Sequence, residues 1–389
     1  AFRPKGRSRH DDEKIIASTI ELIKIDSRNG PHAEDRISDY IIDNFNSSSL
    51  KFVIVYHDDF RRSLIAVVPG ENSSKNLLVC GHLDTIEIPN AILDEDKSIF
   101  AQSREDKIFG LGSSDMKSGI ISILFGLKYL TDNKIKPKYD IVAVLTGDEE
   151  KDKTGALSLL KNKLIKKTKL MLIPEPTNLN LGLGQKGQIW IELKFKGKSA
   201  HGSAPEKGKS AVLMAMNFIQ RILDPDIFSK NDRFFSKSTV NVGFINATGP
   251  FNVVPDACTA GFDIRISPPD TVNDIMAKIN SILSADYKKS EFELKLIDSL
   301  NSSFINPDSK TATQLKSIID THVSGRRKIA LSYATDGSVL NTYLNIPVAI
   351  LGPGTPEVIH NKDEYVITEN IIKSFYIYRD IFLNLDRII

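Results

Sequence analysis

The stretch LLVCGHLDTIEIP, residues 77–89, decides the architecture. It opens with an apolar run of strand length and then delivers His82 and Asp84, one residue apart, into a turn. Outward from it, short apolar runs alternate with helical ones. KFVIVY (51–56), SLIAVV (63–68) and NLLVC (76–80) read as strands, SGIISILFGLKYL (118–130) as a helix and YDIVAVLT (139–146) as a strand. TGALSLLKNKLI (154–165) reads as a helix and LMLIPE (170–175) as a strand. Such alternation predicts an α/β fold, a mixed and mostly parallel sheet flanked by helices. Before it, Ile15, Ile16, Ile20, Leu22 and Ile23, then Ile37, Tyr40, Ile41 and Phe45, recur at helical spacing.

Beyond Gly184 the pattern changes. GQIWIELKFKGKSAH (187–201) alternates with period two, SAVLMAMNFIQRIL (210–223) and VNDIMAKINSIL (272–283) read as helices, and STVNVGFIN, CTAGFDIRIS and EFELKLI as strands. Four strands with two helices predict a small α+β layer. TATQLKSIIDTHV (311–323), PVAILGPG (347–354) and ENIIKSFYIYRDIFLNL (369–385) then resume the first style. The expected organisation is therefore a discontinuous domain, 11–186 and 301–389, with a second domain, 187–300, inserted into it. Two domains suit 389 residues.

Composition excludes several classes of function. With 51 basic and 49 acidic residues the formal charge is +2, too balanced for a nucleic-acid footprint. The longest apolar runs fall short of a bilayer span, so no membrane partner is expected. Cys80 and Cys258 offer neither a disulfide framework nor a zinc-ribbon spacing, which favours a reducing, cytoplasmic setting. The opening AFRPKGRSRH is basic and lacks apolar periodicity; it is expected to lie outside the fold, with His10 exposed.

Several charged side chains cluster at strand ends. His82 and Asp84 follow NLLVC, Asp148, Glu149 and Glu150 follow YDIVAVLT, Glu175 closes LMLIPE, His360 follows PVAILGPG, and Asp115 precedes a helix. In an open α/β sheet the carboxyl ends of the strands form the ligand crevice. Carboxylates gathered on one rim repel one another unless cations offset their charge, and imidazole with carboxylate is the nitrogen and oxygen ligation of zinc-like ions. The donors outnumber those one tetrahedral ion needs, so two bridged ions are expected, about 3.5–4 Å apart. Singly, each motif has a plainer explanation: a turn, a helix cap for Asp115, a solvated pair for Glu149 and Glu150. Their joint placement favours a site.

Two other chemistries fit less well. GLGQKG (182–187) spells Gly-x-Gly-x-x-Gly, but a strand follows it where a dinucleotide site needs a helix N-terminus. Cys80 and His82 share a strand face, but Cys80 continues the apolar run and lacks the exposure of a nucleophile.

The assembled motifs resemble those of the zinc-dependent aminoacylase, acetylornithine deacetylase and succinyl-diaminopimelate desuccinylase family, which also includes carboxypeptidases. GHLDTI, GLGSSDMKSG, TGDEEKDKTGA, PEPT, NVVPD, DIRISP and GPGTPEVIHNKDEYV match its signatures in order. Ser118 and Gly147 depart from the usual residues without removing a ligand. The resemblance implies a zinc-exopeptidase-like catalytic domain with an inserted lid and dimerisation domain. It implies that Asp115 bridges two divalent ions, Zn2+ with Co2+ or Mn2+ as alternatives, that His82 and Glu175 complete one, and that Glu150 and His360 complete the other. Glu149 becomes the general base. Asp84 is expected behind His82, fixing its tautomer.

His201, in KGKSAHGSAP, reads as a surface histidine by itself. The resemblance makes it an oxyanion donor reaching over from the partner of a homodimer. Asn252 and Arg265 become substrate-binding positions, with Arg265 suited to a carboxylate; a turn role and a surface ion pair are the structural alternatives. The implied reaction is hydrolysis of an amide in an N-acyl amino acid or diamino acid, with carboxypeptidase or dipeptidase action on short peptides as the alternative. A binding protein without catalysis is disfavoured by the presence of Glu149 alongside all five ligands.

Overall fold

His82 stands at the end of a strand whose last seven residues are buried, and a computed structural model shows how the chain surrounds it. The structure describes residues 9–87, 101–228 and 234–389. Residues 1–8 of the basic lead-in, and Ile88 and Pro89 of the opening stretch, lie outside the described residues. Two compact units emerge, one formed by the described residues up to 184 with 304–329 and 335–389, the other by those of 185–303 with 330–334.

In chain order the elements are helices α1 (Arg9–Lys24) and α2 (Asp35–Phe45), then strands β1 (Val53–Tyr56), β2 (Arg62–Val68), β3 (Asn72–His82), β4 (Gln102–Arg104) and β5 (Lys107–Phe109). Next come α3 (Ser118–Asp132), β6 (Tyr139–Thr146), α4 (Thr154–Leu159), β7 (Thr168–Pro176) and β8 (Leu181–Gln185). The second unit holds β9 (Gly187–Lys196), α5 (Ala211–Ile222), β10 (Thr239–Asn246), β11 (Ala257–Ile266), α6 (Val272–Asp286) and β12 (Phe292–Leu300). The chain closes with β13 (Ser303–Phe304), α7 (Lys310–His322), β14 (Lys328–Leu331), α8 (Asp336–Leu344), β15 (Val348–Gly352), β16 (Tyr365–Ile367), α9 (Thr368–Leu383) and α10 (Leu385–Ile388).

The main sheet runs β1-β2-β6-β3-β7-β15-β8-β13, with β14 beside β8. Its middle is parallel: β6 with β3, β3 with β7, and β7 with β15. Antiparallel pairs, β1 with β2 and β2 with β6, flank it. Burial explains the parallel centre, because Leu77, Leu78, Val79 and Cys80 are wholly covered, as strands packed on both faces must be. Helix α3 is buried nearly all round, packing on α1, α9 and β7, while α4 and α8 pack together. The mixed α/β sheet is as expected.

The second unit is an antiparallel sheet, β10-β11-β9-β12. Along β9, Ile189, Ile191, Leu193 and Phe195 point into a core shared with α5 and α6, whereas Trp190, Glu192, Lys194 and Lys196 point away, which is the period read from the sequence. Thr271 and Asp274 form a capping box at the start of α6.

Three local expectations change, and a fourth holds. Arg9 and His10, expected outside the fold, open α1, where Arg9 pairs with Glu13 at 3.1 Å. The helix expected over 154–165 stops at Leu159, because the Asn162 side chain accepts the Leu164 N–H at 3.0 Å and turns the chain. The segment ALSYATDGSVLN (330–341), assigned no helix or strand from its sequence, supplies the end of β14 and the start of α8, capped by the Thr335 hydroxyl. The opening of GLGQKG falls on β8 and its last glycine starts β9, so no helix N-terminus exists there to hold a phosphate.

Candidate metal centre

Strand β3 ends at His82, β7 carries Glu175 near its end, and β6 stops at Thr146, so that Glu149 and Glu150 lie on a turn beyond it. Asp148 takes a left-handed φ of 65°, so the chain leaves strand geometry here, as adjacent roles for Glu149 and Glu150 require. Asp115 sits in the loop before α3 and His360 in the loop after β15.

These side chains converge. His82 Nε2 lies 3.0 Å from Asp115 Oδ1 and 3.7 Å from Glu175 Oε1. His360 Nε2 lies 3.3 Å from Asp115 Oδ2 and 3.2 Å from Glu150 Oε1. Among the described residues, two groups offer ligand atoms all within 4.8 Å of one another: His82, Asp115 and Glu175, and Asp115, Glu150 and His360. Asp115 belongs to both. Two imidazoles and three carboxylates form a nitrogen and oxygen donor set for divalent cations.

Electrostatics gives the same reading. Burial pushes the Glu149 and Glu175 carboxyls well above the usual range and raises Glu150 less; neighbouring carboxylates add to each shift. Asp115 is held down, against its burial, by hydrogen bonds from His360 and His82. The imidazoles are drawn toward the charged form: His360 rises to about 10 through its bonds to Asp115 and Glu150. His82, despite burial that lowers it, is raised by Asp115 and Glu175. So dense a set of carboxylates needs positive charge, and divalent cations fit the donors present.

The loop carrying Asp115 has its own anchor. Glu364, buried, accepts the backbone N–H of Ser114 at 2.7 Å, of Asp115 at 2.9 Å and of Gly112 at 3.1 Å. Gly112 has φ 78°, and a Cβ there would lie 2.7 Å from Thr85 Cγ2, so only glycine fits. Removing the acceptor strands three buried donors, each costing about 1–3 kcal/mol. Glu364→Ala is therefore expected to lower stability by about 3 kcal/mol or more, with Glu364→Gln recovering part; an unchanged denaturation midpoint would refute this.

Asp84 departs from expectation. The His82 Nδ1 atom faces the backbone carbonyl of Asp84 at 2.8 Å, while the nearest carboxylate oxygen is 3.9 Å away. The carboxylate instead accepts the Glu149 N–H at 3.1 Å and the Glu150 N–H at 3.2 Å. Ring orientation thus falls to the main chain, and the side chain grips the acidic turn. Cys80 is wholly buried and its thiol is pushed up by that burial, so it is a core residue.

In the second unit, His201 is exposed with Nδ1 2.7 Å from Ser203 Oγ, and its neighbour Gly202 donates to the Asn252 carbonyl at 2.7 Å, bringing those two positions together. Arg265 pairs with Asp263 at 2.9 Å, two residues back on the same face of β11.

Residues 63–180 match the family model described as Peptidase family M28, and residues 183–291 match the one described as Peptidase dimerisation domain, an M20 model. The chain is 28% identical to an acetylornithine deacetylase of Buchnera aphidicola, covering 91% of this chain and 92% of that protein. It is 23% identical to a probable succinyl-diaminopimelate desuccinylase of Staphylococcus aureus, covering 92% and 96% respectively. The chain thus resembles metallopeptidases and N-acyl amino acid hydrolases over nearly its whole length.

Solved structures agree on the fold. The crystal structure of an aminopeptidase from Bacillus cereus superposes with a TM-score of 0.77 at 18% identity, covering 96% of this chain and 99% of that one. An M20 family metallo-carboxypeptidase from Sulfolobus solfataricus gives 0.75 at 16% identity, covering 97% and 100%. The chain is a metal-dependent amidohydrolase or peptidase, the class its matches share. Among the described residues no helix is long and apolar enough to cross a membrane.

Sequence reasoning missed the residues that support the site. Glu364 lies within a matched motif, so its place was visible while its role was not. Asp336, whose Oδ2 accepts from the Thr146 hydroxyl at 2.6 Å and which burial raises to about 6, lies outside every motif and element read from the sequence.

Proposed function

We propose that the protein hydrolyses the amide bond of an N-acyl amino acid or diamino acid, releasing a carboxylate and a free amine. One observation carries the reading: two three-donor groups share Asp115, and the buried Glu149 belongs to neither. His82, Asp115 and Glu175 would hold one divalent ion, and Asp115, Glu150 and His360 the other. Zn2+ suits this donor set, with Co2+ or Mn2+ able to replace it. When bound, such ions lower the pKa of water and polarise a carbonyl oxygen.

Glu149 takes the proton from the attacking water and returns it to the departing nitrogen, so the same carboxylate serves as base and then acid. Asp84 fixes the turn that presents it. His201, supplied by the second unit of a partner copy in a homodimer, would donate to the carbonyl oxygen as charge develops there. The match to a dimerisation domain supports that arrangement. Arg265 would hold the substrate carboxylate beside Asn252, exchanging its bond to Asp263 for paired bonds to the ligand. Both cysteines are buried and unpaired, which supports a cytoplasmic setting.

Hydrolysis of short peptides by a carboxypeptidase or dipeptidase needs the same groups. The deacetylase and desuccinylase names of the relatives favour the first reading. A side-by-side assay of acetylornithine, succinyl-diaminopimelate, other N-acyl amino acids and dipeptides, on zinc-, cobalt- and manganese-loaded protein, decides. The highest kcat/KM is expected on an N-acyl substrate; a dipeptide turned over tenfold better would transfer the assignment. Inactivity on all of them would end it.

A further inference from the structure

Behind the acidic turn lies a cluster that the reaction does not use directly. Arg61, 7% exposed, places Nη2 2.6 Å from Glu34 Oε1, 3.2 Å from Asp148 Oδ1 and 3.9 Å from Asp84 Oδ2. Its Nη1 donates to the Asn29 side-chain oxygen at 3.1 Å and to the Gly30 carbonyl at 2.8 Å. Asn29 Nδ2 in turn donates to Asp84 at 2.8 Å and to Asp148 at 3.3 Å.

Each of the three carboxylates holds part of the turn. Asp84 accepts from the Glu149 and Glu150 N–H groups, Glu34 accepts the Asp148 N–H at 3.2 Å, and Asp148 Oδ2 accepts the Thr154 hydroxyl at 2.7 Å. All three are buried, Glu34 and Asp84 completely. Three buried carboxylates converging on one another repel unless a cation stands between them, and a planar guanidinium is the side chain able to reach several at once.

We infer that Arg61 is a positioning residue for amide hydrolysis: by binding Glu34, Asp84 and Asp148 together, it fixes the backbone that presents Glu149 and Glu150. The inference rests on the role proposed above for Glu149. Arg61 touches neither three-donor group, so its effect passes through Asp84 and Asp148. Without the guanidinium the carboxylates separate, the acceptors of the Glu149 and Glu150 N–H groups are lost, and the base leaves its aligned position. A displacement of about 1 Å costs on the order of 10²-fold in rate.

The test uses the full chain with zinc and the best substrate of the panel. Arg61→Met is expected to lower kcat about 10²-fold while KM changes less than about threefold. Arg61→Lys, a point charge without the fork, is expected to recover part of the loss. In a double-mutant cycle, Arg61→Met should add little to Asp84→Asn, because both act through the same bonds. Hydrogen exchange on the metal-free chain gives a readout independent of turnover. Amides of a peptide spanning 147–153 should exchange about tenfold faster in Arg61→Met, with those of β3 unchanged.

Unchanged exchange at 147–153, or full additivity with Asp84→Asn, would overturn the inference. Should Arg61→Met fail to fold, Arg61→Lys and Asn29→Ala carry the same comparisons. Absence of turnover in the unmodified protein, or full turnover by Glu149→Gln, would instead refute the proposed function, and the exchange result would still decide whether Arg61 holds the turn.

Discussion

Glu149→Gln is expected to lower kcat by about 10²–10⁴-fold while the protein still takes up metal in both donor groups. Glutamine keeps the size of the side chain but cannot accept a proton from water or pass it to the departing amine. Glu149 belongs to neither three-donor group, so ligation should survive its replacement. Its environment sharpens the contrast: burial raises the Glu149 carboxyl well above the ordinary range, the nearby His82 opposes the rise, and Asp336 and Glu150 add to it. A carboxyl so placed can hold a proton between the two halves of the reaction. Turnover within tenfold of the unmodified protein, at unchanged metal content, would dismiss Glu149 as the proton carrier.

Asp115→Ala should do more, because both donor groups include Asp115. Removing it leaves one imidazole and one carboxylate in each group, and takes away the ligand the two groups share. The expected result is loss of at least one equivalent of bound metal and a fall in kcat/KM no smaller than that of Glu149→Gln. His360→Ala, by contrast, touches one group and should release one equivalent while the other remains. Elemental analysis after gel filtration distinguishes the two variants. Retention of both equivalents by Asp115→Ala would break the shared-ligand arrangement.

The readable part of this protein was what chain direction imposes. A parallel sheet collects its strand ends on one rim, so the sequence positions of His82, Glu175 and the Glu149–Glu150 pair already implied proximity. Period two in β9 likewise revealed the second sheet, because half-buried strands alternate by necessity. The unread part depends on atoms and on distance along the chain. His-x-Asp spacing places Asp84 near His82 without telling whether carbonyl or carboxylate meets the ring; here the carbonyl does. The Arg61 cluster gathers residues 29, 34, 61, 84 and 148, and no local pattern marks such a meeting. The short α4 turned on a single side chain, Asn162, competing for a backbone donor.

His360 and His82 also differ in a way that bears on how the centre would be taken apart. The His360 side chain is 48% exposed and stands on a loop with φ 59°, whereas His82 is 1% exposed at the end of a central strand. A competing chelator can approach the first directly, but must wait for the surrounding fold to open before reaching the second. Stripping should therefore be biphasic: one ion leaves quickly, the other with a lifetime set by the opening of the fold. Between those phases lies a singly loaded form that could be isolated and refilled with a different metal, giving a mixed pair in known order.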